Sequence, residues 1–171
     1  MRIALPIALA GSLLLAQAPK SPDPVAAARE IMAAARYCTL VTLDRRGAPD
    51  ARMMDAFPME ADGSIWMATK AGSRKALQIR RDPRVTLLYF ETASESYATL
   101  AGIARLVTDP AEKAKRWKDK WAPFYSDGPR GADYLLIQVR PARLEVSSPA
   151  RGLDNDPKTW KAVTVALAPR S

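Results

Sequence analysis

The sequence predicts a mainly β protein: a six-stranded antiparallel barrel with flanking helices. Three observations carry this. Six stretches carry strand signals, among them Arg84–Glu91, rich in Val, Leu, Tyr and Phe. Arg45-Arg46-Gly47 and Glu60-Ala61-Asp62-Gly63 have the composition of hairpin turns. The helical crossovers that parallel pairing needs are mostly missing. With 171 residues, 48% of them apolar, the chain can build one domain with a full core.

The first 18 residues read as a signal peptide. Arg2 is a short positive region, Ile3 to Ala16 is apolar or small, and Ala16-Gln17-Ala18 is a cleavage site. The apolar run is short for a membrane span, and no Cys follows it that could carry a lipid. An uncleaved N-terminal anchor is the alternative. Cleavage removes Arg2 as the one charge, so the formal net charge falls from +8 to +7. A periplasmic or secreted bacterial protein without a stable membrane anchor is expected.

Residues 19–148 are expected to form the barrel domain. Asp23-Pro24 opens a helix, with Asp as cap and Pro in the first turn. Val25, Ala28, Ile31, Met32 and Ala35 share its packing face. Strands follow at Tyr37–Asp44, Pro49–Met59 and Ser64–Thr69. Alternation sets Arg52, Met54 and Ala56 on one face of the second, and Met53, Asp55 and Phe57 on the other. Ser73 caps a second helix that closes at Asp82-Pro83. Arg84–Glu91 and Tyr97–Thr108 are the next strands, and Gly102 marks a bulge. Asp109-Pro110 opens a helix to about Trp121, with Lys113, Lys115, Arg116, Lys118 and Lys120 on its polar side. Asp133–Ser148 is the sixth strand. The tail, 149–171, is either a terminal strand near Ala162–Leu167 or disordered.

Composition excludes much chemistry. The chain has no histidine, which removes imidazole catalysis, the Ser-His-Asp triad and His-ligated metal or haem. Its one cysteine, Cys38, lies in an apolar run and reads as a buried thiol. The net charge of +8 calls for an anionic partner. Acidic residues interrupt the basic ones, so a continuous face for nucleic acid is not expected.

The strongest local feature is Thr69-Lys70-Ala71-Gly72-Ser73-Arg74-Lys75. Arg74 and Lys75 sit in a first helical turn, where the helix dipole favours anions. Two cations and free backbone N–H groups there suit a bound phosphate, with Arg52 on a neighbouring strand able to join them. A solvated basic turn would have the same spacing. Trp117, Trp121, Phe124 and Tyr125 form a second cluster, suited either to stacking on a planar ring or to core and interface packing.

These residues resemble a known family. Ile65-Trp66-Met67-Ala68-Thr69, Gly72-Ser73-Arg74-Lys75-Ala76, Gln78-Ile79 and Asp82-Pro83-Arg84-Val85 are similar to the flavin-binding segment of the pyridoxamine 5'-phosphate oxidase-like split barrels. Tyr97 to Gly102 and the Asp109-Pro110 helix start resemble its general stress protein 26-like branch. The resemblance implies an FMN-binding split β-barrel homodimer with FMN between subunits. It places Arg52, Ser73, Arg74 and Lys75 at the phosphate. It places Met53, Met54, Asp55, Ala68 and Thr69 along the ribityl chain and ring, with Tyr97 and Trp121 reaching in from the partner subunit. The true oxidases carry a substrate lysine where this chain has Asp55-Ala56-Phe57, and an arginine–histidine pair that it lacks. Pyridoxamine phosphate oxidation is therefore not expected. What remains is an FMN-dependent oxidoreductase of unidentified substrate whose flavin does the chemistry, with no catalytic side chain assigned. The alternative is a non-catalytic module that binds or senses flavin or deazaflavin.

Overall fold

The computed structural model describes residues 21–167; the expected signal peptide lies outside them. The elements run α1 (Pro24–Ala35), β1 (Cys38–Leu43), β2 (Pro49–Met54), β3 (Ile65–Lys70), α2 (Arg74–Arg81), β4 (Arg84–Glu91), β5 (Ser96–Val107), α3 (Pro110–Lys115), β6 (Tyr134–Ser147) and β7 (Val163–Ala166). The six expected strands form an antiparallel path, β2-β1-β4-β5-β6-β3, which puts β2 and β3 at its two ends. The tail supplies a seventh strand, β7, which pairs with β6.

The sheet curls until its two ends meet at one place. Ala56 bridges Met67, and the Phe57 amide donates to the Trp66 carbonyl at 2.7 Å. Beyond that point β2 pairs with β1 and β3 pairs with β6, so a split opens between Met54 and Ala68. The second strand therefore ends at Met54, short of the expected Met59, and its continuation closes the barrel instead.

The core is the inner face of this curl, with Leu40, Leu87, Leu100, Ile137, Val139 and Leu144 fully buried. Asp23 caps α1 as expected, accepting from the Val25 amide at 2.9 Å. Ala28, Ile31 and Met32 seat α1 on that core. Gly102 sits at the register shift between β5 and β6, opposite Pro141. A Cβ there would run into the Arg140 carbonyl, so the bulge requires glycine.

The helix expected from Asp109 to Trp121 stops at Lys115, and a separate 3-10 segment covers Asp119–Phe124. Packing is the reason. Trp117, Trp121, Tyr125 and Tyr134 meet in a second core with ring centroids 5.0–6.4 Å apart, edge to face except for the tilted Trp121–Tyr134 pair. Arg116 and Lys113 are not on a solvated face either. Arg116 is 4% exposed, stacks 3.6 Å over the Trp66 ring and pairs with Glu60 and Glu112. Lys113 is 6% exposed and donates to the Gly131 carbonyl at 2.7 Å.

Candidate functional site

The split between β2 and β3 is roofed by the start of α2. Ser73 is the N-cap; its hydroxyl accepts from the Ala76 amide and lies 2.8 Å from the Thr69 hydroxyl. The Leu77 amide donates to the Ser73 carbonyl, while the amides of Arg74 and Lys75 precede the first helical bond and gain no acceptor from the helix. A cleft of about 360 Å³ opens beside this turn. It is lined by Thr69, Ser73 and Lys75, by Asp55 and Ala68, and by Trp121, Phe124 and Tyr125.

Lys75 is half-buried in that cleft. Among the described residues its ammonium has neither a hydrogen-bond acceptor nor a carboxylate partner. Burial pushes its pKa down, and the positive charges of Arg52 and Arg74 push it further. Arg52 is held differently. Its guanidinium donates to the Thr42 hydroxyl at 2.7 Å, the Leu40 carbonyl at 3.2 Å and the Gln78 side-chain carbonyl at 3.3 Å. Gln78 in turn donates to Asp50 at 2.5 Å and accepts from Thr42. This network ties β1 and β2 to the underside of α2. Burial depresses the Arg52 pKa, Asp50 opposes the shift and Arg74 adds to it. Arg74 turns outward: its side chain is 71% exposed and lies 3.3 Å from Asp50. The two cations of the turn thus diverge: Lys75 lines the cleft, together with Lys70 at the end of β3, and Arg74 does not.

The other predicted residues are distributed as follows. Asp55 joins Lys118 at 3.1 Å and Lys120 at 2.6 Å. Burial alone would raise its pKa; the two ammonium groups outweigh that and hold it below the ordinary carboxylate range. Met54 is buried in the core and Met53 is 64% exposed on the outer face. Tyr97 is on that outer face too, paired with Phe90. Trp121 lines the cleft of its own chain, beside Lys75. Phe124, 62% exposed, and Tyr125 join it there. Both belong to the aromatic cluster that the sequence marks with Trp117 and Trp121. Thr42, Asp50 and Gln78, which anchor Arg52, have no motif that marks them.

Among solved structures, the chain is similar to a protein related to general stress protein 26 from Clostridium acetobutylicum, at 16% identity and TM-score 0.67 over 84% of this chain and 94% of that one. It is also similar to general stress protein 26 of Bacillus anthracis, at 22% identity and TM-score 0.65 over 82% and 95%. A heme binding protein from Mycobacterium smegmatis shares the fold at 21% identity and TM-score 0.60, over 74% of this chain and 54% of that one. At these identities the likeness is one of fold. Comparison with curated proteins finds no match. The family model for pyridoxamine 5'-phosphate oxidase-like proteins matches residues 23–152, from the cap of α1 through β6. With a match over most of its length, the chain belongs to the pyridoxamine 5'-phosphate oxidase-like family.

Proposed function

We propose that this protein is an exported flavoprotein that holds FMN in the β2–β3 split and serves as an oxidoreductase. The observation that carries the reading is Lys75: a partly desolvated ammonium with no carboxylate partner among the described residues, beside two uncommitted helix amides and two hydroxyls. A phosphate monoester supplies the missing charge and acceptor oxygens. The residues present therefore fit the phosphate end of FMN. The Asp55–Ala68 end of the split and the Trp121 and Phe124 wall would meet the rest of the molecule. When bound, FMN supplies hydride transfer, and this chain supplies position and charge. The same phosphate chemistry would accept a deazaflavin.

A homodimer completes the reading. Met53, Leu88, Phe90 and Tyr97 lie on one outer sheet face, linked by the pairings Thr39 with Met53 and Leu88, and Phe90 with Tyr97. Leu88 and Phe90 are 39% and 52% exposed there. A contiguous apolar sheet face of this kind suits a second copy of the chain. It would bring the partner's face against the mouth of the split next to Met53.

Reduction by NAD(P)H after FMN loading tests the enzymatic part. Bleaching of the flavin followed by turnover of an added acceptor is expected. Tight FMN binding with no reduction by any nicotinamide or chemical donor would leave a binding module in place of an oxidoreductase.

A further inference from the structure

A second basic cluster lies between α2 and the β1–β2 hairpin turn. Arg45, Arg46, Arg74 and Arg81 all line one open cleft of about 460 Å³ there, and all four are exposed. Arg45 and Arg46 stand at the hairpin turn, and their guanidinium groups have no hydrogen-bond or ion-pair partner among the described residues. Arg81 donates to the uncharged Leu43 carbonyl at 2.8 Å. Arg74 shares the Asp50 carboxylate with Gln78. The other carboxylate of the cleft, Asp44, is turned back into the hairpin, where it accepts from the Arg46 and Ala48 amides at 2.7 and 2.8 Å. Four guanidinium groups thus face two carboxylates, both already engaged.

Leu77 sits among these arginines and is 56% exposed. It follows Arg74 by three residues and precedes Arg81 by four, so the three share one helix face. Arg74 and Arg81 bracket it over two turns, about 10 Å along the helix. Guanidinium groups pair with phosphate oxygens through two parallel bonds, so the arginines call for phosphates. Phosphates alone would leave Leu77 in water. The boundary between lipid headgroups and acyl chains satisfies both, because it has anionic phosphates at the surface and an apolar layer beneath them.

We propose that this face docks the protein on an anionic phospholipid bilayer, with Leu77 entering the headgroup boundary and the four arginines meeting lipid phosphates. One exposed leucine and four arginines give a peripheral, salt-sensitive contact, not an insertion. Arg74, which turns away from the split, gains a role of its own. The face shares no lining residue with the Lys75 cleft, so it does not depend on FMN binding.

The test is co-sedimentation with lipid vesicles. It uses the mature chain, residues 19–171, because the apolar run Ile3 to Ala16 would itself bind lipid. Vesicles of phosphatidylcholine with one third phosphatidylglycerol should carry the protein down, and phosphatidylcholine alone should not. Arg45→Ser with Arg46→Ser should weaken binding by about tenfold or more, and Leu77→Gln by about fivefold. Lys158→Ser with Lys161→Ser removes two exposed cations from the loop before β7 and should change it by less than about twofold. All three variants should keep the wild-type far-ultraviolet circular dichroism. Each of three results would overturn the assignment. The first is no preference for the anionic vesicles. The second is an equal loss in the Lys158 and Lys161 variant, which would reduce the contact to net charge. The third is full affinity in Leu77→Gln, which would mean that the arginines read phosphate alone, as on a nucleic acid.

Discussion

Lys75 and Arg52 repel each other, and only Arg52 is tied into the fold. Arg52 donates to Thr42, Gln78 and the Leu40 carbonyl, so its removal deletes three hydrogen bonds that fasten α2 to β1 and β2. Arg52→Ala should cost about 2 kcal/mol, a fall of about 5 °C in the thermal midpoint by calorimetry. Lys75→Ala should leave the midpoint in place or raise it slightly, because it deletes a desolvated charge with no carboxylate partner among the described residues. Cys38 is fully buried, and burial pushes its thiol up to about 11. In the native protein it should resist a thiol reagent at neutral pH, and one equivalent should react in denaturant; ready native labelling would contradict its place in the core. The basic turn was legible in the sequence, since Ser73 before Arg74 and Lys75 is a local pattern. The commitment of Arg52 to Gln78, across 26 positions, and of Arg74 to Asp50 was not, because both depend on how α2 docks over β2.

The elements read most clearly where local pattern and tertiary demand agree. Arg84–Glu91, rich in Val, Leu, Tyr and Phe, is β4 over that same span, with Val85, Leu87 and Tyr89 turned inward. The Asp23-Pro24 and Asp109-Pro110 starts both cap helices. Agreement fails after Lys115. Arg116 is drawn inward by Trp66 and Glu60, and the aromatic residues that follow join Tyr134, which lies on a strand well separated in sequence. Asp55 fastens this segment to the end of β2 through Lys118 and Lys120. Its folded pKa lies below the unfolded value, so its stabilisation is present above the unfolded pKa near 4 and is lost as pH falls through the folded one. Asp55→Asn should therefore lower the stability at pH 7 and flatten its decline between about pH 5 and pH 3. Parallel urea melts of the two proteins measure this. Equal slopes with pH would mean that the carboxylate is solvated and its lysine contacts contribute nothing.

At the scale of the whole molecule, the barrel was legible because six strands joined mainly by hairpins leave few ways to bury one face each. The split was reached through the family resemblance, since no sequence period reveals where the β2–β3 edge stays open. The outer face of Met53, Leu88, Phe90 and Tyr97 predicts a dimer. Met53→Glu with Phe90→Glu should shift sedimentation velocity from dimer to monomer and leave the far-ultraviolet circular dichroism unchanged. An unaltered dimer would move the interface elsewhere. The central claim is that a phosphate-bearing flavin is gripped by Lys75 where β3 turns into α2. Its most direct measurement is an FMN titration of the wild type and Lys75→Ala followed by flavin fluorescence. The account predicts saturable quenching in the wild type and its loss in the variant at an unchanged melting temperature. Wild-type protein that leaves FMN fluorescence untouched, or a variant that quenches it equally well, would contradict the account.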